Sequence, residues 1–291
     1  MMRMEKFIYD AIGESGTPVL FLHGLGGDRH QWQKLLEAHS GIKGFFPDLP
    51  GHGDNGEVPD DGFSFNSLCR WTAGFIDTVI GSPCAVAGIS MGACMALKMA
   101  LQMPGMVTKA MAVRPAWTDS ARPDNLEMLH MVGEQWKSYG AEKARALINT
   151  SQRYMEMRYR SEACAASVMG QFGRKYPEAA IASLVAMTDD APVGDIRLYG
   201  DIRVPVMVVG NDADPMHPLS MARTLAAAIP EARLEVIASR YANGNMHRQQ
   251  LNALVDEFLC QETYLQHDRR EITNATSRLF CRFNAYEIEI I

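Results

Sequence analysis

Short apolar runs alternate along this chain with longer stretches whose apolar residues recur at helical spacing. Val19-Leu20-Phe21-Leu22, Gly44-Phe45-Phe46, Cys84-Ala85-Val86-Ala87, Val107 to Val113, Val204 to Val209 and Leu234 to Ile237 read as buried strands. Between them, Gln31 to Ala38, Phe65 to Ile80, Ala93 to Met103, Leu219 to Ile229 and Arg248 to Leu259 read as helices. In the second of these, Leu68, Trp71, Phe75, Ile76 and Val79 share one side. This rhythm predicts an α/β fold built on a mostly parallel, doubly wound sheet.

The rhythm breaks between about Trp117 and Gly200. That stretch is helical in pattern, holds no convincing strand and carries Met128, Met131, Met155, Met157, Met169 and Met187. It reads as a helical lid over residues 115–200, inserted into a core made of residues 1–114 and 201–260. Residues 261–291 form a C-terminal extension. Gln261 to Arg278 is polar, which suits a frayed segment, whereas Tyr286-Glu287-Ile288-Glu289-Ile290 alternates like an edge strand or dimer contact.

Composition narrows the function classes. A chain of 291 residues with 47% hydrophobic and 21% charged residues suits one large domain with an insertion. A net charge of −6 argues against nucleic acid, which needs a basic face. There is no basic run for a membrane surface, no spanning apolar stretch and no signal-peptide core, so a cytoplasmic protein is expected. The six cysteines form no C-x-x-C pair and no zinc spacing, so no metal or cofactor is expected.

The chemistry concentrates at Gly88-Ile89-Ser90-Met91-Gly92, a G-x-S-x-G pattern between an apolar run and a helical one. That is the context of a nucleophile elbow, which projects the serine hydroxyl from a turn too tight for flanking side chains. A serine nucleophile needs a base, and the base an orienting acid, in the chain order serine, acid, histidine. Asp214 and Asp212 both follow the 204–209 strand, and the Asp214-Pro215 step favours Asp214. His247 follows the last strand and is the expected base. His217, three residues from Asp214, is its rival and is read as shaping the loop.

Several segments together resemble the α/β-hydrolase superfamily across roughly residues 5 to 260. His23-Gly24-Leu25-Gly26-Gly27 is similar to its H-G-x-G-G loop, and Asp48-Leu49-Pro50-Gly51-His52-Gly53 to its D-x-x-G-H-G loop. The elbow, the segment at 214–218 and the late histidine complete the set. His247 departs from the pattern in following Met246, where the family often has glycine. The resemblance implies Ser90 as nucleophile, His247 as general base and acid, and Asp214 as orienting carboxylate. It implies an oxyanion hole from the backbone N–H groups of Leu25 and Met91, with Gly24, Gly26 and Gly27 letting the loop turn its N–H groups inward. A serine at the elbow argues against the epoxide hydrolases and dehalogenases of this fold, which place aspartate there.

The lid sets the substrate. Its methionines suggest a deformable apolar surface, Trp117 and Trp136 are candidate pocket residues, and Arg153, Arg158 and Arg160 are candidates for a substrate carboxylate. The expected activity is a carboxylic ester hydrolase acting through an acyl-enzyme on a small or medium apolar acyl substrate. The same triad would serve an enol-lactonase, a C–C bond hydrolase, or a receptor-like binding protein with slow turnover. The partner is a small-molecule ester or lactone, and the oligomeric state, a homodimer included, stays open.

Overall fold

Val19, Phe21, Ala85, Ala87, Met111, Val113, Met207 and Val209 pack on one side of a sheet, and Leu20, Leu22, Val86, Ala110, Ala112 and Val208 on the other. Successive side chains of a strand point to opposite faces, so runs that are apolar at every position require a sheet covered on both sides. The computed structural model describes residues 7–37 and 41–260 and shows that sheet. It has seven strands: β1 (Tyr9–Ile12), β2 (Thr17–Leu22), β3 (Ile42–Pro47), β4 (Cys84–Ile89), β5 (Val107–Val113), β6 (Val206–Asn211) and β7 (Arg233–Ile237). Their order is β1-β3-β2-β4-β5-β6-β7, with β1 antiparallel to β3 and the other neighbours parallel.

One strand was not expected from the sequence, and another shifts. β1 carries no apolar run, because it is a short edge strand with only partly buried side chains. β6 begins at Val206, not Val204, and runs on to Asn211. Pro205 has no N–H to give a ladder, but its carbonyl accepts from Ala110 N at 3.0 Å.

Helices α1 (His30–Gln33) and α9 (Gly244–Leu259) lie on the face that buries Trp32, Leu251, Val255 and Leu259. Helices α2 (Phe65–Phe75), α3 (Met91–Gln102) and α8 (Leu219–Ala228) cover the other. Each fully buried Leu or Phe contributes about 1.5–3 kcal/mol of transfer free energy to this arrangement. α2 starts at a reciprocal cap: Ser64 Oγ accepts from Ser67 N at 3.0 Å, while Ser64 N donates to Ser67 Oγ at 2.9 Å. It runs through a wider π-type turn at Ile76–Ile80 and stops at Gly81, whose φ of 73° is left-handed. α1 is shorter than its periodicity predicts, and α9 begins four residues earlier.

Between β5 and β6 the chain is helical, with no strand among these residues: α4 (Glu127–Thr150), α5 (Gln152–Arg160), α6 (Glu162–Met169) and α7 (Pro177–Asp189). α4 is broken at Gly140 (φ 76°, ψ 166°). His130 is buried on α4 and its Nδ1 meets Thr188 Oγ1 of α7 at 2.9 Å. The expected strand at 286–290 lies outside the described residues. No helix among the described residues is long and apolar enough to cross a membrane.

Candidate active site

Ser90 sits between β4 and α3 with φ 57° and ψ −111°, a left-handed conformation costly for a residue with a side chain. The turn holds because its neighbours over-determine it. Ser90 N donates to Val113 O at 3.0 Å, and Ser90 O accepts from Ala93 N (3.1 Å) and Cys94 N (3.2 Å). A Cβ on residue 88 would lie 1.9 Å from Gly92 O, and one on residue 92 only 2.4 Å from Leu22 O. Only glycine fits at either place, which is the physical content of the G-x-S-x-G pattern.

Asp214 follows β6 and is buried, whereas Asp212 is exposed. Asp214 Oδ1 accepts the N–H groups of Met216 (3.1 Å) and His217 (3.2 Å), an Asx-type turn that folds the chain back over the carboxylate. That turn brings the His217 ring against both other residues. His217 Nδ1 lies 3.0 Å from Asp214 Oδ2, and His217 Nε2 lies 3.0 Å from Ser90 Oγ. An ionised carboxylate only accepts, so Nδ1 carries the proton and Nε2 is left to accept from the serine hydroxyl.

His247, the expected base, is elsewhere. It lies in the first turn of α9, with Asn243 Oδ1 capping Met246 N at 3.1 Å. Its Nδ1 donates to Ala238 O at 2.8 Å, its Nε2 has no hydrogen-bond partner among the described residues, and the residue is buried. The early start of α9 is the reason: it puts His247 inside a helix and turns it toward the backbone that leaves β7. The sequence signal that would have found His217 is the spacing Asp214-Pro215-Met216-His217 itself, since an Asx turn closes over just that interval.

Burial opposes the charge on Asp214, but His217, Arg114 and Asn211 outweigh it and hold the carboxyl well below the usual range. Arg114 Nη1 lies 3.4 Å and Asn211 Nδ2 3.3 Å from Asp214 Oδ2. His217 is lowered from its ordinary value, first by burial; Asp214 pulls it up, and Arg114 and Arg240 push it down. His247 is lowered to about 4, chiefly by burial.

The loop at 23–27 faces the elbow. His23 Nδ1 donates to Gly24 O (2.9 Å) while its Nε2 accepts from Leu49 N (3.1 Å), which ties this loop to the one that carries Asp48 and His52. Gly24 N donates to Gln31 Oε1 at 2.8 Å, and Gly27 N to Gly24 O at 2.8 Å. Neither bond involves the Leu25 N–H. Met91 opens α3, so its N–H is one of the helix's unclaimed donors.

A cavity of about 280 Å³ opens over Ser90 and His217, floored by Gly24 and Leu25 and roofed by Leu129, Ser167 and Gln171 from the helices between β5 and β6. Trp117 and Trp136 do not line it. Trp117 is fully buried against Phe65, and Trp136 packs on Phe172. Nor do the six methionines named for the expected lid or Arg153, Arg158 and Arg160; Met216, Arg114, Arg240 and Tyr241 do. Both tryptophan rings are taken up by core packing, and the cavity wall combines apolar side chains such as Leu25, Leu129 and Met216 with polar ones. Among the described residues no group of three or more His, Cys, Asp or Glu is placed to hold a metal.

Residues 17–246 match the family described as alpha/beta hydrolase fold. The 2-succinyl-6-hydroxy-2,4-cyclohexadiene-1-carboxylate synthase of Salmonella typhimurium is 41% identical over 76 residues, 22% of this chain. The protein of that name from Escherichia coli K12 is 37% identical over 76 residues. The chain spans only 30% of the length of these curated relatives. A thermophilic esterase from Thermogutta terrifontis superimposes with a TM-score of 0.67 at 19% identity, covering 87% of this chain and 94% of that one. The enol-lactonase of Burkholderia xenovorans LB400 gives 0.65 at 18%, covering 88% and 96%. At these identities the structures share the fold alone. Matched across most of its length and sharing that architecture, the chain belongs to the alpha/beta hydrolase fold family.

Proposed function

We propose that this protein is a serine hydrolase of carboxylic esters or lactones, with Ser90 as nucleophile, His217 as general base and acid, and Asp214 as the carboxylate that orients it. The observation that carries the reading is the unbroken line Ser90 Oγ, His217 Nε2 and Nδ1, Asp214 Oδ2, with both gaps at 3.0 Å. Ser90 Oγ attacks the carbonyl carbon as His217 Nε2 takes the hydroxyl proton. The tetrahedral oxyanion is met by the Leu25 and Met91 N–H groups, each worth about 3 kcal/mol in such a site. Collapse breaks the acyl–oxygen bond, and His217 returns its proton to the departing alkoxide. Water, deprotonated by His217, then attacks the acyl-enzyme and releases the acid and Ser90.

The base is assigned to the loop after β6, not to the histidine after β7. Polar side chains on the cavity wall favour a substrate that carries polar groups beside its acyl chain. The experiment is paired: a fluorophosphonate should label wild type at Ser90, fail on Ser90→Ala and His217→Ala, and still label His247→Gln. Labelling of His217→Ala at the wild-type rate, with loss in His247→Gln, would return the base to His247.

A further inference from the structure

We infer that the substrate carries a carboxylate besides its scissile carbonyl, and that Arg240, with Arg114 beside it, binds that group at the wall of the Ser90 cavity. The inference rests on the serine-hydrolase reading and adds the class of molecule it takes.

The cavity wall is one-sided in charge. Arg114 and Arg240 both line it, and no Asp or Glu does. Asp214 does not line the cavity; it pairs with His217 Nδ1 at 3.0 Å and with Arg114 Nη1 at 3.4 Å, which leaves Arg114 Nε without a partner. Arg240 makes no ion pair or hydrogen bond among the described residues. Its guanidinium rests 4.9 Å from the Tyr241 ring, which holds the planar group by cation–π attraction and leaves its N–H edge free. An exposed arginine alone would mean little, but Arg114 is a second, independent observation. It is 2% exposed, sits at a left-handed φ of 49° at the end of β5, and its Nε has no hydrogen-bond partner. A buried guanidinium donor left unpaired is costly, and one on the cavity wall is completed by an acceptor entering the cavity. A carboxylate offers the planar pair of acceptors that two guanidinium groups fit, and a cavity near 280 Å³ limits the molecule to a small acid.

Two substrate pairs test this. Mono-p-nitrophenyl succinate is set against p-nitrophenyl butyrate, and 4-acetoxybenzoate against phenyl acetate, so the charge sits once on the acyl side and once on the leaving group. The expected result is that kcat/KM favours the carboxylated member of at least one pair by about tenfold or more, the size of a hydrogen bond to a charged group. Arg240→Gln should collapse that ratio toward one, and Arg240→Lys should keep part of it. No preference in either pair, or an Arg240→Gln variant that slows both members by the same factor, overturns the inference. Glutarate tests the subsite without turnover: it should raise the Tm of wild type and of Ser90→Ala but not of Arg240→Gln. A glutarate shift in a protein that hydrolyses no ester would keep the carboxylate subsite and remove the hydrolase reading. Ester hydrolysis with neither shift nor preference would do the reverse.

Discussion

His217 Nε2 lies 3.0 Å from Ser90 Oγ, although the two residues are 127 positions apart in the chain. The contact joins two short loops that leave the carboxyl ends of β4 and β6, strands separated in the sheet only by β5. Parallel strands deliver their carboxyl ends to the same edge, which is why distant residues meet there.

Ser90→Ala should lower kcat by about five to six orders of magnitude, the usual cost of losing a triad nucleophile. The fold should survive, because the turn is held by backbone hydrogen bonds and the flanking glycines, not by the hydroxyl. Steady-state hydrolysis of p-nitrophenyl butyrate together with circular dichroism checks both halves; a rate near wild type would remove Ser90 from the chemistry.

His217→Ala and His247→Gln should separate cleanly. The first should match Ser90→Ala in lost turnover, with Tm also lowered because the buried Asp214 loses its partner. The second should hold kcat/KM within about threefold, because His247 contacts Ala238 and not the serine. Its loss should appear in Tm instead, by the order of 1 kcal/mol for a buried hydrogen bond.

The acid limb of kcat/KM should fall below pH 6.5. His217 must be neutral to accept the serine proton, and burial lowers its pKa, with Arg114 and Arg240 adding to the effect. The neutral form therefore persists as pH drops past the ordinary histidine value. Arg114→Met removes a cation that depresses His217 and should move the limb upward; a pH–rate profile showing no movement, or a downward one, would contradict this account.

Acid stability should depend on His247. Its pKa is about 4 in the fold against 6.5 unpaired, so below 6.5 the unfolded chain binds the proton more readily. This contribution is complete above pH 6.5 and is lost as pH falls from 6.5 toward 4. Urea midpoints at pH 7.5 and 4.5 should drop less for His247→Gln than for wild type.

Gly88→Ala should be among the most damaging single changes in the chain. Its Cβ would meet Gly92 O at 1.9 Å, a clash with backbone that cannot rotate away. A loss of about 3 kcal/mol or more, or failure to accumulate as soluble protein, is expected. Gly105→Ala is the control, since nothing lies within 4 Å of the added methyl.

The order of strands and helices, the elbow and the two acid candidates were all legible along the chain. Apolar runs mark buried strands because both faces of the sheet are covered, and glycines at 88 and 92 mark a turn because only hydrogen fits between the backbones there. β1 was illegible for the converse reason: an edge strand with partly buried side chains needs no apolar run. The histidine is the instructive case. His217 and His247 are the same residue type after neighbouring strands, and along the chain only the short interval from Asp214 to His217 pointed to the first. Their positions were decided by an Asx turn at Asp214 and by the start of α9 at Gly244, both set by backbone hydrogen bonds that exist only once the loops have closed. Trp117 and Trp136 likewise became core, the first because the loop after β5 packs on Phe65 of α2 and the second because α4 packs on Phe172. Local pattern fixes which face of an element is apolar. Which neighbour meets that face, and which polar side chain is left for the cavity, depends on how the elements pack in three dimensions.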